Sequence, residues 1–284
     1  LDRRTFLGLM ATVAAPALAQ PKDIITQAEF QSILMKKLKK DYNGRLQVLG
    51  EPAPGILRLK RLDSSGSEPL LLLEPFYAQA LRVQANPQEF MEDRLNPLVV
   101  GLPGPPVLDK DLLMPRLFAQ EQFRRLWPSD NRPSSTALHP RLCWTVVVDQ
   151  PLVLWAVGPR EERTWGMSET EVQQLALENL ARRTDIPFLV AGERQGVWVL
   201  NRGDGYDAER MLVVDLLQAL RAQAESPLTL VAPSHNWLVV ARDTGAEVRA
   251  RLTQVSSRIQ QTEPSQNLPV LLFNFDQRLE VSTP

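Results

Sequence analysis

Reactive side chains are scarce in this 284-residue chain: one cysteine, two histidines and three tyrosines. A single cysteine excludes an intramolecular disulfide, which suits folding in a reducing cytoplasm. Cys143, His139 and His235 are too few for a closed zinc site built on Cys and His. The sequence has no G-x-S-x-G elbow and no Walker motif, so the usual serine-hydrolase and P-loop readings have no anchor. No apolar run reaches the ~20 residues a spanning helix needs. Net charge is only −1, so no long-range field steers the chain to nucleic acid or an anionic membrane. No cofactor and no metal are expected from this inventory.

What is present begins at the amino terminus. Asp2-Arg3-Arg4-Thr5-Phe6-Leu7 opens a mildly apolar stretch that ends in Ala17-Leu18-Ala19. An arginine pair followed by Phe6-Leu7 reads as a twin-arginine export signal. The small side chains of Ala17 and Ala19 suit a signal peptidase, with cleavage before Gln20. Residues 1–19 are therefore expected to engage the twin-arginine translocase and then be removed. The processed chain would carry 30 Lys+Arg against 32 Asp+Glu, a net charge of −2. It would act in the periplasm or outside the cell with no integral membrane segment.

Helix starts are marked by local chemistry. Thr26-x-x-Glu29, Ser168-x-x-Glu171 and Thr244-x-x-Glu247 read as capping boxes, and Asn86-Pro87 places proline in a first helical turn. After Thr26, Phe30, Ile33, Leu34 and Leu38 form one apolar stripe, with Lys36, Lys37, Lys39 and Lys40 on the solvated side. After Thr244, Val248, Leu252, Val255 and Ile259 form another. Strands are expected near 45–50, 55–62 and 69–73, followed by a helix over 75–96. The run Gly101-Leu102-Pro103-Gly104-Pro105-Pro106 is stiff and reads as a boundary. It divides residues 20–106, a helix–three-strand–helix unit, from residues 107–284. Residues 127–140, rich in proline and serine, read as a second loop.

In the second unit, hairpins alternate with helices. Asp149-Gln150, Gly192–Gly196, Ser234-His235-Asn236 and Asp276-Gln277 are the expected turns. Pro187–Ala191 reads as a strand beside Val197–Leu200. A two-residue loop at Asp149-Gln150 would pair Val148 with Pro151 and set Trp144 opposite Trp155. Leu142–Val148 reads as a strand, which makes Cys143 a buried, inert thiol. Trp144, Trp155, Trp198 and Trp237 lie on strands and read as core. The class is α+β: antiparallel sheets from repeated β-hairpin–helix units, with helices packed on one face.

Candidate chemistry concentrates in two segments. Gly203-Asp204-Gly205-Tyr206-Asp207-Ala208 matches G-x-G-x-x-A, but two aspartates would set negative charge against a pyrophosphate. A tight turn with Asp204 or Asp207 as helix cap is the better reading. Asn201, Asp204, Asp207 and Glu209 offer oxygens, at a spacing that is not an EF-hand loop. Cys143, His235 and Asn236 do not make a cysteine hydrolase, because Cys143 reads as mid-strand and the other two share a hairpin tip. Asp204, Tyr206, Asp207, His235 and Asn236 remain as possible binding residues.

Four segments resemble a known family. Leu73-Glu74-Pro75-Phe76-Tyr77, Ala176-Leu177-Glu178-Asn179-Leu180, Gly205 through Leu212, and Pro233-Ser234-His235-Asn236-Trp237-Leu238 are similar, in that order, to the YtpQ-like family of uncharacterised bacterial proteins. The resemblance covers most of residues 26–284. It implies a shared fold and brings no established activity or catalytic residue. Members of that family usually show a basic–acidic pair where His235-Asn236 stand, and most carry no export signal. The leading expectation is a non-enzymatic exported protein that binds an envelope protein or a small ligand. The alternative is a hydrolase using His235 with Asp204 or Asp207, and a third possibility is an accessory factor for another exported protein.

Overall fold

The computed structural model describes residues 26–42, 44–53, 55–62, 70–73, 76, 77, 80, 91, 95, 109–128, 132–149, 153–194, 196–262 and 267–281. The export-signal residues Arg3, Arg4, Phe6, Leu7, Ala17 and Ala19, the helix start at Asn86-Pro87 and the proline-rich stretch 101–106 lie outside them. Helix α1 (Gln27–Asp41) starts at the expected box: Thr26 Oγ1 accepts from the Glu29 amide at 3.2 Å, and Glu29 accepts from the Thr26 amide at 2.7 Å. Phe30, Leu34 and Leu38 are buried as one stripe. Lys37 is the correction on the opposite side. It is buried and pairs with Asp41 at 3.2 Å, because its aliphatic stem packs while its ammonium reaches one turn along the helix.

Strands β1 (Leu46–Ala53), β2 (Ile56–Arg61) and β3 (Leu70–Leu72) follow as expected. A 3₁₀ turn (Lys110–Leu112) leads into β4 (Leu113–Ala119) and helix α2 (Gln120–Leu126). Next come β5 (Thr136–His139), β6 (Leu142–Asp149) and β7 (Val153–Ala156). These strands form one antiparallel sheet in the order β1-β2-β3-β7-β6-β4, with β5 also on β6. Leu70 pairs with Leu154, so strands from both sides of the 101–106 stretch share this sheet. Thr136–His139 is thus a strand inside the expected loop, where Thr136 finds a ladder partner in Trp144.

The β6–β7 register also differs from expectation. Val148 pairs with Trp155 and Asp149 with Leu154, so Trp144 lies not opposite Trp155 but opposite Leu117. A proline cannot donate to a ladder, which disfavours the tighter Val148–Pro151 pairing. The displacement is an even number of residues, so both indoles keep the same face. All four strand tryptophans are buried.

Helices α3 (Pro159–Trp165), α4 (Glu169–Arg182) and α5 (Ile186–Ala191) then cross to a second sheet. The Ser168–Glu171 box is present, with Glu171 accepting from the Ser168 amide at 2.7 Å. Pro187–Ala191 is helical rather than extended: Asp185 caps it by accepting from the Phe188 amide at 3.3 Å, and Pro187 sits in its first turn. Asn179, 2% exposed, donates to the carbonyls of Lys110 and Leu113 at 2.6 and 2.8 Å and fixes α4 against the start of β4.

The second sheet is antiparallel in the order β12 (Leu279–Val281), β11 (Leu272–Phe275), β9 (Leu228–Ser234), β10 (Trp237–Arg242), β8 (Val197–Leu200). Helix α7 (Ala246–Thr262) starts one residue later than the Thr244 box predicts. Gly245 accepts from the Arg249 amide, and Glu247 pairs with Arg251. Leu252 of α7 packs on Val197, Val231, Val239 and Ala241, while Leu216, Leu217 and Leu220 of α6 (Val214–Ala224) join Leu230, Leu238 and Val240. Alternate residues of β9 and β10 therefore face different helices, so this sheet carries helices on both faces. The chain is α+β with antiparallel sheets, as its pattern predicts. No helix among the described residues is long and apolar enough to cross a membrane.

Candidate functional site

The main core holds residues of both sheets together, including Leu117 and Phe118 of β4 and Leu230, Leu238 and Val240 of the second sheet. At its edge two of the resemblance segments meet: the turn and 3₁₀ helix (Ala208–Leu212) of residues 201–212, and the β9–β10 turn at His235-Asn236. The Ala208 amide donates to the His235 carbonyl at 3.1 Å, and Asn201 Nδ2 donates to the Asn236 carbonyl at 3.0 Å. β4 of the first sheet completes the cluster.

The turn is built by glycine and aspartate. Gly203 and Gly205 take φ of 74° and 79°, the left-handed region that glycine enters without a Cβ clash. Asp207 Oδ2 accepts from the Arg202 and Gly203 amides at 2.7 and 3.3 Å, and Asp204 Oδ1 accepts from the Tyr206 amide at 3.0 Å. These carboxylates bind the turn itself. Neither gives a side-chain cap to the 3₁₀ helix, in contrast to the expected role. Arg210, wholly buried, closes the turn: its guanidinium meets Asp204 at 2.5 and 2.9 Å and Asp207 at 3.1 Å. Two carboxylates share one cation. Burial pushes the Asp207 carboxyl up to about 6, while Asp204 stays below its ordinary value because Arg210 outweighs its partial burial.

His235 does not meet Asp204 or Asp207. Its Nδ1 lies 2.7 Å from Glu209 Oε1, and the same oxygen accepts from the Leu117 amide of β4 at 3.1 Å. An ionised carboxylate can only accept, so His235 Nδ1 carries the proton. Arg116 Nε is 3.8 Å from Glu209, its Nη1 donates to the Gly205 carbonyl at 2.5 Å, and its guanidinium lies over the Tyr206 ring at 5.5 Å. Phe118 meets the imidazole edge-on. Burial lowers the His235 pKa and Arg116 lowers it further, which leaves the ring neutral. Burial alone would raise the Glu209 carboxyl, but His235, Arg116 and the Leu117 amide outweigh it, and the group sits below its ordinary range. Tyr206, whose pKa burial raises well above 10, stays a phenol and donates to Asp149 Oδ1 at 2.8 Å; Arg183 holds the other oxygen at 2.6 Å.

The structure places Asp204, Tyr206 and Asp207 on one turn and His235 and Asn236 on the neighbouring β9–β10 turn, joined through residues outside that expected set. Glu209 entered only as a calcium oxygen, and Arg116, Asp149 and Arg210 not at all. One signal was available: Glu209-Arg210 interrupts the otherwise apolar run from Ala208 to Val214, and charges inside such a run are buried as pairs. Cys143 is buried as expected, its thiol pushed up to about 11 by burial, with Sγ 3.8 Å from the Phe118 carbonyl. His139 Nδ1 accepts from the Arg141 amide at 3.1 Å, in a different part of the sheet. Among the described residues no three His, Cys, Asp or Glu side chains are placed to hold a metal ion.

Comparison with known proteins gives a partial likeness. A 94-residue stretch is 33% identical to UPF0354 proteins of Bacillus cereus (strain AH187), Bacillus thuringiensis subsp. konkukian (strain 97-27) and Bacillus anthracis. It covers 31% of this chain and 34% of each relative, so the match spans about a third of those proteins' own length. No protein-family model matches the chain, and no solved structure matches it. The chain is thus similar, over this segment, to an uncharacterised bacterial family.

Proposed function

We propose that the chain is an exported, non-enzymatic binding or accessory protein of the cell envelope, of YtpQ-like type. One observation carries the non-enzymatic part. The acids and the histidine that could do chemistry are bound to one another: His235 to Glu209 at 2.7 Å, and Arg210 to Asp204 and Asp207 at 2.5 and 3.1 Å. These pairs leave each acid and the imidazole engaged with a partner inside the protein, while Leu117 and Arg116 of β4 join the cluster to the first sheet. The exported part rests on Arg3-Arg4, Phe6-Leu7 and the Ala17/Ala19 cleavage pattern. The twin-arginine translocase is the partner during export, and an envelope protein or small ligand is the partner afterwards. Among the described residues the two antiparallel sheets end in the edge strands β1, β8 and β12, the kind of element that offers main-chain hydrogen bonds to such a partner.

The test is amino-terminal sequencing of the protein recovered from the envelope fraction, with and without Arg3→Lys/Arg4→Lys. A mature terminus at Gln20 that is lost in the double variant supports export. An uncut chain in the cytosol overturns it. Crosslinking in the envelope should capture a partner by contact with this protein.

A second reading rests on the His235–Glu209 hydrogen bond, since a carboxylate that holds an imidazole in one tautomer is also how hydrolases orient a base. In this form Glu209 replaces the aspartates as the orienting acid. Hydrolytic turnover that disappears in His235→Ala would favour it over binding.

A further inference from the structure

Three segments far apart in sequence converge on the Glu209 carboxylate. His235 comes from the β9–β10 turn of the second sheet, Arg116 and the Leu117 amide come from β4 of the first, and Glu209 stands on the 3₁₀ helix between them. Glu209 is wholly buried, and its second oxygen, Oε2, has no hydrogen-bond partner among the described residues. A buried oxygen without a donor is a strained element, because it has left water without replacement. We propose that His235, Glu209 and Arg116 form a proton-operated latch between the two sheets, closed while the imidazole is neutral and released when it takes up a proton.

The mechanism follows from which charged groups face the ring. Glu209 faces it from the 3₁₀ helix and Arg116 from β4, while Phe118, also on β4, presents only its ring edge. Tyr206 and Asp149 lie one step further out, beyond Arg116. In the closed state one anion, Glu209, serves one cation, Arg116, and a neutral donor. Protonation adds a second cation to the same buried carboxylate. The charged ring then sits beside the Arg116 guanidinium as well as beside Glu209, and the two cations repel. Arg116 is the most exposed of the three, 12% against 10% for His235 and none for Glu209, and it is held by Glu209 at 3.8 Å, the Gly205 carbonyl and the Tyr206 ring. Its departure uncouples β4 from the turn, and the Leu117 amide loses the brace around its acceptor. An open latch exposes His235 to water, where its pKa returns toward 6.5. Acid therefore favours the open form, by up to about tenfold per pH unit below that value.

The experiment is amide hydrogen exchange at Leu117, read as a protection factor between pH 7.5 and 5, in the full chain and in His235→Asn. Asn keeps an N–H donor for Glu209 but does not titrate. The expected result is a protection factor that falls with acid in the native chain, approaching tenfold per pH unit, and stays level in His235→Asn. A level profile in the native chain, or the same fall in the variant, overturns the latch. Should His235→Asn not fold, NMR titration of the native chain decides the matter. An Nδ1-protonated His235 ring with an apparent pKa below 6.5 supports the latch, and a ring titrating at or above 6.5 overturns it.

Discussion

Glu209 Oε1 accepts from His235 Nδ1 at 2.7 Å and from the Leu117 amide at 3.1 Å, so one buried oxygen receives a donor from each of the two sheets. Twenty-six residues separate Glu209 from His235, and ninety-two separate it from Leu117. The contact is thus a product of tertiary folding, and four consequences of the arrangement around it can be measured.

Glu209→Ala would leave Arg116 unpaired and two donors without an acceptor inside the core. Removing one partner of a buried ion pair typically costs ~3–5 kcal/mol. Urea unfolding should show a loss of that size. A loss below about 1 kcal/mol would mean that water already serves these groups.

Asp207 is wholly buried and its carboxyl is pushed up to about 6 from 3.8. An acid raised in the folded state contributes stability that is complete below 3.8 and is lost as pH rises through about 6. The stability difference between the native chain and Asp207→Asn should therefore move toward the native chain, by on the order of 1–3 kcal/mol, as pH falls from 7 to 4. Thermal melts of both proteins across that range give the difference directly.

Arg210 serves Asp204 and Asp207 together, so changes to these residues should not add. Arg210→Met leaves two carboxylates facing each other and should destabilise strongly. Combining it with Asp207→Asn should recover part of the loss, with a coupling of ~0.5–3 kcal/mol in a double-mutant cycle. Strict additivity would show that the three groups act separately.

Cys143 should be silent toward aromatic disulfide reagents in the folded protein. It is buried on β6, and burial raises its thiol to about 11, so little thiolate exists at neutral pH. One thiol per chain should react once guanidinium unfolds the protein. Reaction at the same rate before unfolding would place this strand at the surface.

Local features were legible in the residues alone. Thr26–Glu29 and Ser168–Glu171 act within one helical turn, and Phe30, Leu34 and Leu38 recur at helical spacing. The tip at His235-Asn236 was also marked, by turn residues between two apolar runs. Errors arose where a choice lay between close alternatives. The Asp149–Leu154 pairing and the one-turn helix at Pro187–Ala191 are examples, since a short apolar run beside a turn fits either extended or helical backbone.

The amino-acid order by itself determined the α+β class, most strands, two of the three helix-capping boxes and the burial of the four strand tryptophans. Each depends on neighbours within a few residues or on a side-chain period. The tertiary structure decided that His235 belongs to Glu209, that Arg210 gathers Asp204 and Asp207, and that Arg116 reaches the 205 turn. A charge has no period and no local preference for one partner. Its partner is whichever opposite group folding carries to within hydrogen-bonding distance, and the meeting of Arg116 and the Leu117 amide with residues 205 and 209 required both sheets to be in place.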